Sequence, residues 1–188
     1  NPTFEGLKQT LFEPEARVFI GEEPLVLKRR RSEATKFIDH LKIQKIATYE
    51  GDNGLWFKNV DVPLNPELTA IIGNKGSGKS ALADILGLLG DSRSEESFSF
   101  LANTRGNIKF RQRGYAENFD AALTWADGNK ASKNLSEGVQ HTEPERVKYI
   151  PQNYFETLTN EIQEARQFQT EIDYTGLGLN YLNLLNLL

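Results

Sequence analysis

The sequence contains no cysteine and no methionine. Without thiols there can be no disulfides and no thiolate metal sites, which fits a reducing compartment. The absence of methionine, even at position 1, is what a fragment or a trimmed chain would show. Long apolar runs are also missing: none reaches the length that spans a bilayer, and no secretory signal opens the chain. A cytoplasmic location and no membrane partner are therefore expected. There is no excess of basic charge either. The formal net charge is −4, so any contact with nucleic acid would need a local patch.

What is present suits one sizeable domain with appendages. The chain has 188 residues, 38% hydrophobic and 26% charged. Residues 1–36 read as a linker or the end of a preceding domain. They hold a short helical pattern (Phe4, Leu7, Leu11), a β-like "RVFI" and the basic run "LKRRRSEATK", which reads as a solvated linker more readily than as a phosphate contact. From residue 37 the texture changes. "FIDHLKIQKIA" alternates like a strand, "LWFKNVDVPL" looks like a second one, and "LTAII" reads as a short strand buried on both faces. "SALADILGLLG" carries a helical stripe at Leu82, Ile85, Leu86 and Leu89, with Gly90 as its stop.

Beyond it, "SFSFL" and "NIKFRQ" are candidate short strands, and "AALTWADGNKASKNL" reads as a hairpin turning at "DGN". "RVKYI" is a further strand, closed by Pro151, and "NYFETLTNEIQEARQFQTEI" has helical character. Residues 173–188 form a Leu- and Asn-rich tail with no assigned role. The fold expected is α/β.

The most informative stretch is "GNKGSGKS", residues 73–80, which matches G-x-x-x-x-G-K-[ST] without a mismatch. A phosphate chain needs several N–H donors converging on one concavity, and glycines let the backbone curl that tightly. Gly73, Gly76 and Gly78 supply the freedom, while Asn74, Lys75, Ser77 and Ala81 contribute backbone around the phosphates. A helix starting near Lys79 adds its positive end. The Lys79 ammonium is placed to meet the β- and γ-phosphates of ATP, and the Ser80 hydroxyl is a hard oxygen donor for Mg²⁺. Of the nearby aromatics, Tyr49, Trp56 and Phe57 lie where a base-stacking face would be needed, although core packing accounts for each of them as well.

"NKGSGKSALADIL", preceded by two strands and "LNPELTAIIG", resembles the ATP-binding-cassette superfamily, and the SMC-like branch above all. "RVKYIPQNYFETL" resembles that superfamily's Q-loop. The resemblance implies that Gln152 brings an amide oxygen to Mg²⁺ or to the attacking water, beside Lys79 and Ser80. "FEGLKQTLFEPEARVFI", "LTAIIGNKGSGKSALADILGLLG", "FSFL" and "ERVKYIPQNYFETLTNEI" together resemble the TrlF family of AAA-like ATPases, a PHP-type phosphoesterase fused to an SMC-like ATPase. This implies a P-loop NTPase fold, with residues 37–172 an N-terminal ATPase lobe bearing an antiparallel β-subdomain. It also implies a homodimer in the full-length protein and a role in nucleic-acid processing or defence. His40 and His141, the two histidines, are far apart and read as structural or exposed, so no phosphoesterase metal cluster is expected.

A complete cassette ATPase also needs a signature loop and an apolar strand ending in Asp-Glu. "LSEGVQ", residues 135–140, imitates the signature but precedes Gln152, where the signature should follow it. The chain is therefore expected to bind ATP and Mg²⁺ while hydrolysis awaits a C-terminal lobe and dimerisation. Two alternatives stand beside this: the nucleotide-binding domain of a transporter-type protein, and an ATP-binding module without turnover. For nucleic acid, Arg105, Lys109, Arg111 and Arg113 are the local candidates, with Lys109, Arg111 and Arg113 on one strand face, although a solvated face is the simpler reading.

Overall fold

Alternation is clearest in residues 119–125, where Phe119, Ala121, Leu123 and Trp125 are all buried and the residues between them are not. Such a pattern demands a sheet with one covered face. The computed structural model, which describes residues 3–12, 14–102, 110–151 and 180–181, shows that sheet. In chain order the elements are α1 (Phe4–Thr10), α2 (Pro14–Arg17), α3 (Leu25–Ser32), β1 (Ile38–Lys45), β2 (Asn59–Pro63), α4 (Lys79–Leu89), β3 (Phe119–Trp125), β4 (Lys130–Asn134), β5 (Val147–Lys148) and β6 (Asn180–Tyr181). No helix among the described residues is long and apolar enough to cross a membrane.

The main sheet has the order β2-β1-β3-β4 and every neighbouring pair is antiparallel. In its register Leu41 faces Leu123 and Val62, and Ile43 faces Ala121 and Val60. Ile38 and Leu41 are both buried although an odd number of positions separates them. The register shift between Ile38 and His40 accounts for this, because a bulge resets which face a side chain takes. The expected hairpin forms between β3 and β4. Gly128 takes a φ of +86° at its tip, and Asp127 Oδ1 accepts the Asn129 amide at 2.9 Å.

Helix α4 covers the buried face of this sheet. The sequence shows a stripe, but the helix is buried almost all round: from Ala81 to Leu89 only Leu82 keeps partial exposure. Phe98 and Leu101 on one side and Val147 on another join its core cluster. The helix stops at Gly90 as expected, but not through a left-handed glycine. Gly90 keeps a negative φ of −95°, and Asp91, at +54°, takes the left-handed position. Gly90 is needed for another reason: a Cβ there would lie 2.2 Å from Val147 Cβ, so β5 crosses the helix end at close range. The Arg146 and Val147 amides both donate to the Gly90 carbonyl.

Several expected strands are absent. "LTAII" forms none, and Leu68 and Ile72 are exposed at 62% and 79%. A strand exists only through its ladder, and among the described residues no strand lies beside residues 68–72. In "RVFI" Arg17 ends α2 and residues 18–20 are exposed and irregular, and "SFSFL" runs from a short turn into bends that place Phe98 and Leu101 in the core. "RVKYI" is a strand only at Val147 and Lys148, where β6 from the tail pairs with it in parallel. The helix expected after residue 152 lies outside the described residues.

The basic run at residues 28–31 is helical, in α3, and its three arginines have partners within the chain. Arg30 pairs with Asp39, Arg31 pairs with Glu23, and the Arg29 guanidinium sits 5.4 Å from the Phe37 ring centre. The C-terminal end of α4 has its own charged anchor. Lys133 donates to the Leu88 carbonyl at 3.0 Å and pairs with Asp91, both partners being almost fully buried. Removing one member of such a pair strands the other charge. We expect Lys133→Met to lower the unfolding free energy in urea titrations by about 3 kcal/mol, and Lys133→Met with Asp91→Asn to recover part of that loss. An unchanged midpoint in the single variant would show that the pair is no anchor.

Candidate functional site

The ladder of α4 begins where the Leu82 amide donates to the Gly78 carbonyl at 3.0 Å. The amides of Lys79, Ser80 and Ala81 come before that bond and have no acceptor inside the helix. They face the mouth of the 73–80 loop and carry the positive end of the helix dipole. The loop is shaped for this. Gly76 and Gly78 take φ values of +85° and +91°, and a Cβ at either would touch nothing within 4 Å. They are therefore required for conformation and not for space. The Ser77 amide closes a turn onto the Asn74 carbonyl at 3.1 Å.

Lys79 crosses the loop from below. Its ammonium donates to the Gly73 carbonyl at 2.7 Å and the Asn74 carbonyl at 3.2 Å. An ammonium has three donors, so one is left to point outward while the other two brace the loop. Lys75 is exposed, away from this brace. The Ser80 hydroxyl is exposed at the helix start. As a single hard oxygen it fits Mg²⁺ only if the ion takes its other ligands from phosphate and water, the usual mode for that ion. No group of three or more acidic or histidine side chains among the described residues could hold a metal by itself. Gln152 lies outside the described residues.

A cavity of about 700 Å³ opens over the loop. Residues 76–82 form one side, and Trp56, Phe57, Val60, Ser99 and Phe100 form the rest. Of the three aromatics considered from sequence, Phe57 is buried and lines the cavity from within, and Trp56 lines it while 62% exposed. Tyr49 does not line it: its ring packs edge-on against Phe119 at 5.8 Å and its hydroxyl donates to the Asn53 carbonyl. Phe100 was not legible as a site residue. It stacks on Phe110 at 4.7 Å and meets Phe57 edge-on at 5.8 Å, so the cavity wall is the surface of an aromatic core.

Asp84 was missed as well. It is fully buried on α4, one turn beyond Ser80. Its Oδ2 accepts the Phe100 amide at 2.6 Å and the Leu101 amide at 3.0 Å. Its Oδ1 is equally buried and no well-aligned donor reaches it. The Tyr149 phenol faces the carboxylate. Burial pushes the Asp84 carboxyl above its ordinary 3.8, outweighing the bonds from Leu101 and Phe100, and burial together with the Asp84 charge raises Tyr149. The signal in the sequence was one acid inside the apolar run "ALADILGLL".

The remaining candidates do not gather at the loop. Arg111 is nearly buried; it donates to the Leu135 carbonyl at 2.8 Å, pairs with Glu95 at 2.9 Å and reaches the Glu137 carbonyl. It sits in a turn, as does Arg113, so these two described residues share no strand face; Arg105 and Lys109 lie outside the described residues. "LSEGVQ" packs against Glu95 through the Val139 amide. His40 bonds Asp39, and His141 stands beside Arg93.

The raised Asp84 carboxyl fixes the sign of a pH effect. Its folded state holds a proton more tightly than the unfolded chain, so the favourable term is fully present below 3.8 and is lost as pH rises through the folded value. In unfolding series from about pH 4 to 7, the difference between wild type and Asp84→Asn should move in favour of the variant as pH rises. A constant difference would contradict the raised value. No protein-family model matches the chain, and no curated protein matches it either.

Proposed function

We propose that this chain is the ATP- and Mg²⁺-binding lobe of an SMC-like ATPase of the P-loop class. The observation that carries this reading is the position of Lys79, braced on the Gly73 and Asn74 carbonyls at the mouth of a loop whose Gly76 and Gly78 are left-handed. That arrangement converges a lysine donor and the free amides of α4 on one point, which suits a polyphosphate. The cavity beside it supports a nucleotide over a bare phosphate. Its wall of Trp56, Phe57 and Phe100 is apolar and flat enough for a base, and its volume suits a ligand of that size.

In this reading the residues have separate roles. The amides of residues 79–81 and the Lys79 ammonium bind and orient the phosphates. Ser80 supplies the hydroxyl oxygen for Mg²⁺, and the Trp56 indole packs on the base. Bound Mg²⁺ would neutralise charge on the β- and γ-phosphates. The family resemblance assigns Gln152 to the γ-phosphate end. Cleavage needs a signature loop and an Asp-Glu strand end, neither of which the sequence supplies, so binding without turnover is the expected behaviour. Dimerisation and nucleic-acid processing belong to the same proposal through the family resemblance. The transporter-type alternative requires an aromatic stack of the same kind, so Trp56 does not separate the two readings.

The two tryptophans make the test direct. Trp56 is exposed and lines the cavity, whereas Trp125 is buried in the sheet. Mg–ATP should therefore change tryptophan emission and reduce quenching by acrylamide. Lys79→Ala should weaken binding at least about tenfold, the usual cost of a lost charged hydrogen bond. Trp56→Ala should weaken it by a smaller factor and abolish the emission change. Absence of heat and of any thermal shift at millimolar nucleotide would sink the reading. Robust ATP turnover by this chain, lost in Lys79→Ala, would show that the cleaving groups are present after all.

A further inference from the structure

We propose that Asp84 is a positioning residue of the nucleotide cleft: its carboxylate holds Ser99 and Phe100 in place as a fixed wall of the phosphate-loop cavity. The proposal rests on the nucleotide reading above and adds what keeps the cleft in shape. Residues 98–101 make no strand ladder, so nothing in the sheet fixes them. Instead the backbone amides of Phe100 and Leu101 both point at one oxygen of Asp84, at 2.6 and 3.0 Å. Ser99 and Phe100 line the cavity, and Asp84 lies on the helix whose first turn is the phosphate grip. One side chain thus sets the distance between the two sides of the cleft.

Two further features mark this as more than packing. A carboxylate buried to this degree is costly, and burial outweighs the bonds it accepts, so the group is not the most stable choice for the site. An amide side chain, which still offers an acceptor, would fill the space at lower desolvation cost. The charge is useful because a charged acceptor holds two amides more firmly than a neutral one. The second feature is the link to β5. The Tyr149 phenol faces the same carboxylate, its ring meets Phe98 edge-on at 5.1 Å, and its amide donates to Ser92 Oγ at 3.1 Å. Asp84 therefore stands where three pieces meet: the loop helix, the cavity wall and the segment that leads to residue 151.

The experiment is amide hydrogen exchange by NMR on the full 188-residue chain, paired with Mg–ATP titration and thermal unfolding at pH 7, for wild type and Asp84→Asn. Asparagine keeps the shape and removes the charge. The Phe100 and Leu101 amides should exchange about tenfold faster, with β1 and β3 unchanged. Mg–ATP affinity should fall at least about fivefold without any fall in the thermal midpoint. Tyr149→Phe, which keeps the ring on Phe98, should leave those two amides within about twofold of wild type. Unchanged exchange in Asp84→Asn overturns the proposal, as does unchanged affinity. A uniform loss of protection across the sheet also overturns it, since that is what a merely structural residue would give. Release of the two amides by Tyr149→Phe would move the holding role from Asp84 to Tyr149. Should wild type bind no nucleotide, the nucleotide reading falls, and the exchange comparison alone supports or overturns Asp84 as the holder of this wall.

Discussion

Helix α4 has no solvent face after its first turn, and the rest of the structure is arranged around that fact. A helix this apolar cannot rest on a sheet alone, because a sheet covers only one side of it. The covering comes from β3 and β4 beneath, from residues 98–101 along one flank and from β5 at the far end. Each cover needs its own fastening, and the fastenings are polar. Asp84 holds the flank, Lys133 with Asp91 holds the end, and the Gly90 carbonyl receives β5. The result is a helix gripped along its length whose only free end is the one carrying Lys79 and Ser80. A rigid mount of this kind is what a binding loop needs if its amides are to stay aligned.

Several basic residues likewise have partners within the fold. In sequence, Arg29, Arg30, Arg31 and Arg111 look like surface charge available to a polyanion. In the fold each has a partner: Arg30 joins α3 to Asp39 of β1, Arg29 lies over the Phe37 ring, Arg31 pairs with Glu23, and Arg111 joins Glu95 to the turn after β4. Guanidinium groups suit such contacts because their several donors can satisfy carbonyls and carboxylates together. A positive cluster in a sequence therefore measures local charge and says little about whether that charge is spare.

Much of this was readable from the chain, for identifiable reasons. β1, the β3–β4 hairpin and α4 announce themselves because their periodicity is local and complete within each segment. The loop is legible because its chemistry is confined to residues 73–80. Residues 68–72 were misread because apolarity says a segment is fit for a strand but cannot say whether a neighbour pairs with it. Residues 98–101 were misread for the opposite reason: two phenylalanines in alternation suggest a strand, while the tie to Asp84, more than a dozen residues back, gives the backbone another set of partners. Phe100 and Asp84 acquire meaning only once α4 and that segment are side by side, which no window of sequence can display.

Among the described residues no strand pairs with residues 68–72, and this also bears on how the chain behaves in bulk. "LTAII" is apolar, rich in β-branched residues, and free of charge and proline, and it leads straight into the loop with Ile72 standing in solvent. Backbone groups in such a segment are open to a ladder with any extended chain that meets them, including the same segment of a second molecule. Colloidal stability and the geometry of the loop are thereby placed on adjoining residues: a strand added at 68–72 would pull on Gly73, whose carbonyl braces Lys79. Crowding this chain at high concentration would draw on the same few residues that hold Lys79 in place.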